Sequence, residues 1–139
     1  MAFRVVFLGS PAEVIAPLQS LLDSEHDVVG VVSQPAKPKG RKKVLTDPPL
    51  AAWAKEQELN VLQPEKASTP EFLEAFADLK PDVAITAAYG QILTTKFLEI
   101  PARGTINIHP SLLPQYRGAT PVPAALLAGE TRTGVTVLF

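Results

Sequence analysis

Apolar residues fall into short runs along this chain, and their spacing alternates between two periods. Continuous β-branched and aromatic runs predict six strands, and apolar residues at helical spacing between them predict four helices. The predicted strands cover residues 3–9, 27–33, 60–64, 82–90, 104–109 and 134–139, and the predicted helices cover 11–24, 48–58, 70–79 and 120–129. Pro17 lies inside the first helical segment, so this helix is expected to begin late or to be kinked.

Strands and helices alternate along the whole chain. This order predicts an α/β fold of the Rossmann-like type, with a mostly parallel sheet and helices on both faces. The sixth strand is therefore expected to run parallel to the fifth. Ligands of such sheets bind beyond the carboxyl ends of the strands. The residues that stand out from the apolar background collect at those ends: Gly9, Ser10, Tyr89, Gly90, Asn107 and His109.

The composition narrows the class of protein. A chain of 139 residues, 46% hydrophobic and 19% charged, fits one folded domain and excludes a largely disordered chain. No apolar run approaches the ~20 residues of a membrane span, and the N-terminus enters a strand without a leader-like pattern, so export is not expected. The absence of cysteine excludes disulfides and agrees with a cytoplasmic protein. Its two histidines are far apart, so no metal site is expected.

Positive charge is concentrated in the segment "KPKGRKK", which follows the second strand. Five of the thirteen basic residues lie there: Lys37, Lys39, Arg41, Lys42 and Lys43. This concentration differs from the even mixture of charges on an ordinary protein surface. We interpret the segment as a loop that binds phosphates, and the alternative is a solvated turn.

Asn107 and His109 form an N-x-H motif at the end of the fifth strand. Strand side chains alternate, so both residues are expected on one side of the sheet. An amide donor beside an imidazole suits a carbonyl oxygen that becomes negative during nucleophilic attack. An isolated motif of this kind also fits a structural strand end. Residues 100–129 contain no Asp or Glu, so a carboxylate that orients His109 must come from elsewhere. The nearest acid downstream, Glu130, is expected at the opposite end of the sheet, whereas the residue after Phe139 is expected beside His109 because the sixth strand should be parallel to the fifth.

The segments around this motif restrict the chemistry further. Pro110 and Pro114 fix the path of the following loop, and Thr120 is a candidate N-cap for the last helix. Ser111 is not arranged as an activated nucleophile. The chain lacks both G-x-G-x-x-G and a P-loop, which disfavours a dinucleotide or triphosphate cofactor. The segment "AAYGQIL" could form one wall of a slot for a flat heterocycle, or Tyr89 could simply face the core.

The motifs "INIHPSLLPQYRGATP", "AAYGQIL" and "GETRTGVTV" together give a specific resemblance. Over its whole length the chain resembles the formyltransferase domain of the methionyl-tRNA formyltransferase family. The resemblance implies transfer of a formyl group from 10-formyltetrahydrofolate, without a metal, to the amino group of methionyl initiator tRNA. A formyltransferase acting on an amino sugar nucleotide and a non-catalytic RNA-binding module are the alternatives.

The resemblance also assigns residues. Asn107 and His109 match two members of a catalytic trio, whose Asp would lie beyond Phe139. The predicted folate contacts are Ser111, Leu112, Leu113, Pro114, Tyr89, Gly90 and Ile92, and the five cations of residues 37–43 match a tRNA-binding insertion. Residues 1–139 would then form a catalytic domain that is incomplete at its C-terminus and lacks the family's barrel-like tRNA-binding domain. We expect this stretch alone to be inactive and the full-length protein to be a monomer.

Overall fold

A six-stranded sheet forms the centre of the computed structural model, which describes residues 1–139. The chain contains eight strands: β1 (Arg4–Gly9), β2 (Asp27–Val32), β3 (Lys37–Lys39), β4 (Val44–Thr46), β5 (Val61–Leu62), β6 (Val83–Ala87), β7 (Thr105–His109) and β8 (Thr136–Leu138). Six of them lie side by side in the order β5–β2–β1–β6–β7–β8, and β3 and β4 form a separate hairpin. All six predicted strands are therefore present in the main sheet.

The last strand has the opposite direction to the one predicted. β5, β2, β1, β6 and β7 pair in parallel, whereas β8 pairs antiparallel with β7, with Thr136 opposite His109 and Leu138 opposite Asn107. The prediction of a parallel sixth strand is wrong because the segment between β7 and β8 does not return to the amino end of the sheet. β8 therefore begins at the carboxyl end of β7, where Thr136 pairs with His109.

This direction changes where the chain leads after β8. Beyond Leu138, the ring of Phe139 lies over Gly104, where an added Cβ would be only 2.6 Å from Phe139 Cε1. Gly104 precedes β7, so the chain leaves β8 towards the amino end of that strand. The expected position of the following residue beside His109 is therefore wrong, as is the parallel direction on which it depended.

Five helices connect the strands: α1 (Ile15–Leu22), α2 (Pro49–Glu56), α3 (Pro70–Asp78), α4 (Thr95–Leu98) and α5 (Pro121–Leu127). A 3-10 turn at Ala12–Val14 precedes α1, and Pro17 occupies the first turn of that helix, so the late start is confirmed. The short α4 is not predicted by the sequence pattern. Thr120 is the N-cap residue of α5, as predicted, but its side chain makes no capping hydrogen bond.

Helices cover both faces of the sheet, which confirms the predicted fold class. On one face, Phe76 of α3 and Phe97 of α4 stack with their ring centroids 4.3 Å apart and pack in a cluster with Leu8 of β1. On the other face, Leu18 of α1 and Leu50 of α2 pack in a cluster with Phe7 and Val31 of the sheet. The alternation of Phe7 and Leu8 between the two clusters is the period-two pattern of a strand buried on both sides.

The basic segment is a short hairpin and not an irregular loop. β3 pairs antiparallel with β4, with Lys37 opposite Thr46 and Lys39 opposite Val44. The turn between the strands includes Gly40 and Lys43, both with positive φ angles, of 75° and 50°. All five cations of residues 37–43 are solvent-exposed. None of the five helices of the chain has the length and apolar character that crossing a membrane requires.

Candidate active site

Two cavities meet at the carboxyl edge of the sheet, and they share Asn107 and His109. The first, of about 570 Å³, is also lined by Leu113, Pro114 and Arg117. The second, of about 610 Å³, extends towards β6 and is lined by a larger set that includes Thr86, Ala88, Tyr89, Gly90, Gln91, Leu93 and Pro121. The structure thus brings the two residues of the N-x-H motif together on one side of β7, at the junction of two openings.

The side chain of Asn107 has a defined orientation. Thr86, a nearly buried residue of the neighbouring strand β6, donates a hydrogen bond from its hydroxyl to Asn107 Oδ1 at 2.9 Å. The hydroxyl fixes the amide oxygen on the strand side, so the Nδ2 donor is free for a group in the cavities. The sequence does not distinguish Thr86 from other strand residues, because threonine is common in β-strands.

The ring of His109 is held by a backbone group. Its Nε2 lies 2.8 Å from the carbonyl oxygen of Tyr116. Because a carbonyl only accepts hydrogen bonds, Nε2 carries the proton. In the neutral ring Nδ1 is then an acceptor, which suits removal of a proton from a bound amine. The orienting group is therefore a main-chain carbonyl seven residues downstream, where the sequence suggested a distant carboxylate.

Ser111 lies inside the loop and not on its surface. The residue is fully buried, and its hydroxyl donates to the carbonyl oxygen of Gln115 at 2.8 Å. Its amide also donates to the carbonyl oxygen of His109 at 2.8 Å. The side chain of Ser111 thus closes the loop and lines neither cavity.

The remaining predicted folate contacts divide into two groups. Leu113 and Pro114 line the first cavity, and Tyr89 and Gly90 line the second. Ile92 and Leu112 line neither, and the side chain of Ile92 is 89% exposed.

Tyr89 is both a cavity residue and a core residue. It is 4% exposed and belongs to the apolar cluster on the α3 face of the sheet. Its hydroxyl has no hydrogen-bond partner, and burial raises the pKa of this phenol to about 12. The aromatic ring therefore supports the wall mainly by packing.

Glu130 lies near the site, contrary to the expectation from sequence. Glu130 was expected at the opposite end of the sheet, but its Oε1 accepts a hydrogen bond from the hydroxyl of Tyr116 at 2.7 Å. This bond raises the pKa of the Tyr116 phenol, since it stabilises the protonated form beside a negative charge. The expectation fails because residues after α5 stay at the carboxyl edge before β8 begins.

A network of glutamine side chains ties the second cavity to the base of the basic hairpin. Gln91 Nε2 donates to Gln34 Oε1 at 3.0 Å, and Gln63 Nε2 donates to the carbonyl oxygen of Gln34 at 3.1 Å. The hydroxyl of Ser10 donates to the Tyr89 carbonyl at 3.1 Å. These bonds join the carboxyl ends of β1, β2, β5 and β6 at one edge.

The cations of the hairpin lie at the same edge as this network. Lys37 and Lys39 line a third cavity of about 270 Å³, which Gln34 and Asp47 also border. The Asp47 carboxylate accepts hydrogen bonds from Gln63 and Lys55, which lower its pKa. Since β2 leads directly into the hairpin, the hairpin emerges from the edge that carries Asn107 and His109.

Comparison with known proteins identifies the family. A family model described as formyl transferase matches residues 3–139. The chain belongs to the formyl transferase family. It is 52% identical over 135 residues to a methionyl-tRNA formyltransferase of Chloroflexus aggregans, and 46% identical over 136 residues to one of Bacillus subtilis strain 168. These matches cover 97% and 98% of this chain, but it spans only 44% and 43% of the relatives' lengths.

Solved structures of formyl transferases have the same fold. A glycinamide ribonucleotide transformylase of Symbiobacterium toebii superimposes with a TM-score of 0.74 at 24% identity, covering 99% of this chain and 66% of that one. A phosphoribosylglycinamide formyltransferase of Brucella melitensis gives a TM-score of 0.72 at 26% identity, covering 99% and 72%. The predicted α/β formyltransferase architecture is confirmed by these superpositions.

Proposed function

We propose that this chain carries the formyl-transferring site of a methionyl-tRNA formyltransferase. The observation that carries the proposal is the position of Asn107 and His109 at the junction of two cavities, with a free amide donor and an imidazole whose Nδ1 can accept a proton. Relatives that match nearly the whole chain have that name. The formyl donor would be 10-formyltetrahydrofolate, and the acceptor would be the amino group of methionyl initiator tRNA.

The reaction follows from the donors and acceptors of the site. The substrate amine attacks the formyl carbon, a new C–N bond forms, and the carbonyl oxygen becomes an oxyanion that Asn107 Nδ2 stabilises. His109 Nδ1 takes a proton from the attacking nitrogen and becomes an imidazolium. The bond from the formyl carbon to the folate nitrogen then breaks, and that nitrogen receives a proton as the carbonyl reforms. The aspartate that the resemblance adds to this pair stays a prediction.

The walls of the cavities suggest how the donor would bind. A flat heterocycle requires an apolar slot with a few polar groups. Tyr89, Gly90 and Leu93 supply one such wall, and Leu113 and Pro114 supply another across the Asn107–His109 junction. Ser111, Leu112 and Ile92 remain predicted contacts from the resemblance, although their side chains lie outside both cavities.

The basic hairpin would bind phosphates of the tRNA acceptor end. Its five cations are exposed, and none of them takes part in a salt bridge of the chain. Contacts between Lys or Arg and phosphates supply most of the non-specific affinity for nucleic acids. The position of the hairpin at the carboxyl edge would bring the tRNA end towards the cavities.

The proposal is tested by an acceptor comparison in the full-length protein. Formyl transfer from 10-formyltetrahydrofolate is measured with methionyl initiator tRNA and, in parallel, with an amino sugar nucleotide. We expect turnover with the charged tRNA and little with the sugar nucleotide. Turnover with the sugar nucleotide alone would assign the chain to the other branch of formyltransferases, and turnover with neither acceptor would overturn the proposal.

A further inference from the structure

The hydroxyl of Thr136 makes two hydrogen bonds to the loop that follows His109. It donates to the carbonyl oxygen of Ser111 at 2.7 Å and accepts from the amide of Leu113 at 3.1 Å. One side chain therefore satisfies a main-chain acceptor and a main-chain donor across 25 and 23 residues of sequence. A hydroxyl is the small side-chain group that can do both at once.

The loop itself is closed by its own hydrogen bonds. Beyond the bonds of Ser111 to His109 and Gln115, the amide of Gln115 donates to the carbonyl oxygen of Leu112 at 3.1 Å. Tyr116 follows with a positive φ of 55°, and its carbonyl turns back onto His109 Nε2. Hydrogen bonds and the main chain of residues 111–116 therefore connect Thr136 to the imidazole.

The direction of β8 places Thr136 for this contact. In the antiparallel ladder Thr136 is directly opposite His109. Two residues earlier, Gly134 lies so close to the loop that an added Cβ would be 2.6 Å from Leu112 Cδ2. The start of β8 thus packs along residues 111–113 of the loop that carries the Tyr116 carbonyl.

We propose that Thr136 is a positioning residue for His109: its hydroxyl holds the Ser111–Leu113 loop, and the loop presents the Tyr116 carbonyl that keeps the proton on Nε2. Thr136 lines neither of the two cavities at the site, so it acts through the loop and not on a bound substrate. The proposal rests on the proposed function for its effect on turnover, but its effect on the ring of His109 does not depend on that function.

The test compares Thr136→Val, which removes the hydroxyl at nearly constant volume, with Thr136→Ser, which keeps it. The ¹⁵N shifts of the His109 imidazole are recorded across pH in the full-length protein, together with kcat and KM for both substrates. We expect Thr136→Val to mix the two neutral tautomers of His109 and to lower kcat about tenfold, since small misplacements of catalytic groups cost up to about a hundredfold. KM should stay within about twofold. Thr136→Ser should keep both the His109 tautomer and the kcat of the unmodified protein.

A purely structural role for Thr136 would lower the melting temperature and leave the His109 tautomer unchanged, which would overturn the proposal. Thr136 is partly exposed, so both variants are expected to fold. Thr136→Ala serves as a second variant if valine prevents folding, and an unchanged tautomer there would also overturn the proposal. If the unmodified protein transfers no formyl group, the proposed function fails, while the imidazole shifts still decide the role of Thr136.

Discussion

Thr86 Oγ donates to Asn107 Oδ1 at 2.9 Å across the β6–β7 pair, in which these two residues are direct partners. This bond decides which end of the amide faces the cavities. Without it, the oxygen and nitrogen of Asn107 could exchange places, and an oxygen would then face the developing oxyanion. The orientation of the proposed oxyanion donor therefore depends on a neighbouring strand.

We expect Thr86→Val to lower kcat by about tenfold, because the amide is free to rotate and its donor is correctly placed only part of the time. Thr86→Ser keeps the hydroxyl and should retain most of the activity. The measurement is steady-state kinetics with both substrates. Equal kcat values for the valine and serine variants would show that Asn107 does not need this bond.

Removing the proposed catalytic groups should lower kcat more than Thr86→Val does. We expect Asn107→Ala and His109→Ala each to lower kcat on the order of a hundredfold or more, with a much smaller change in donor affinity. His26→Ala is the matched control, since His26 lies between α1 and β2 and accepts a hydrogen bond from the amide of Phe3. Near-normal turnover in both site variants would place the chemistry elsewhere in the protein.

The sequence predicts this site well in one respect and poorly in another. The N-x-H motif and the alternation of strand side chains are enough to place Asn107 and His109 on the same side of a strand end. The groups that orient them cannot be found in this way. Strand pairing alone places Thr86 opposite Asn107 and Thr136 opposite His109. The group that holds the His109 ring is the main-chain carbonyl of Tyr116, and every residue has such a group.

The direction of β8 shows a similar limit. The apolar run of residues 134–139 predicts a strand, but a run of this kind has the same period whichever way the strand points. The alternation of strands and helices favoured the parallel direction. The contacts of Glu130 with Tyr116 and of Thr136 with the loop after His109 hold the start of β8 at the carboxyl edge, and they depend on tertiary packing.

Neutralising the hairpin should reduce the salt dependence of tRNA binding. Replacing Lys39, Arg41, Lys42 and Lys43 with alanine should weaken binding, and the slope of log affinity against log salt should fall by about one unit for each lost phosphate contact. As a control, alanine replaces exposed lysines outside the hairpin: Lys66, Lys80 and Lys96. Binding is measured by titration at several salt concentrations. A slope that the hairpin and control variants change equally would assign the hairpin to solvent.

Tyr89→Phe should maintain or increase stability at neutral pH. The buried hydroxyl has no partner, and leaving such a group unpaired costs about 1–3 kcal/mol. Above about pH 10 the difference in stability between Tyr89→Phe and the unmodified protein should grow. The phenol of the unfolded chain loses its proton near pH 10, whereas burial raises the folded-state pKa to about 12. The unfolded state then binds fewer protons, so the unmodified protein loses stability as pH rises through this window.

The measurement for Tyr89 is chemical denaturation of both proteins at pH 7 and at several values above 10. Tyr116 also has a raised pKa, but it is present in both proteins and cancels in the comparison. A loss of more than about 1 kcal/mol in Tyr89→Phe at pH 7 would mean that the hydroxyl has a partner, such as a buried water molecule.

Gly90 and Gly40 have similar backbone conformations, so Gly40 can serve as the control for a substitution at Gly90 in the wall of the second cavity. Both have positive φ angles, of 91° and 75°, so alanine is strained at either position. An added Cβ at Gly40 meets nothing within 4 Å, whereas at Gly90 it would lie 2.9 Å from Gln34 Nε2. Only Gly90→Ala should therefore displace Gln34 and break its hydrogen bond from Gln91.

We expect Gly40→Ala to cost about 1 kcal/mol of stability, the strain of the backbone alone, and to leave tetrahydrofolate binding unchanged. Gly90→Ala should cost more and should weaken tetrahydrofolate binding several-fold, because the wall formed by Tyr89, Gly90 and Gln91 loses its support from Gln34. Chemical denaturation and calorimetric titration measure the two effects. If the variants differ in stability but bind tetrahydrofolate equally, the glutamine network supports the fold and not the cavity wall.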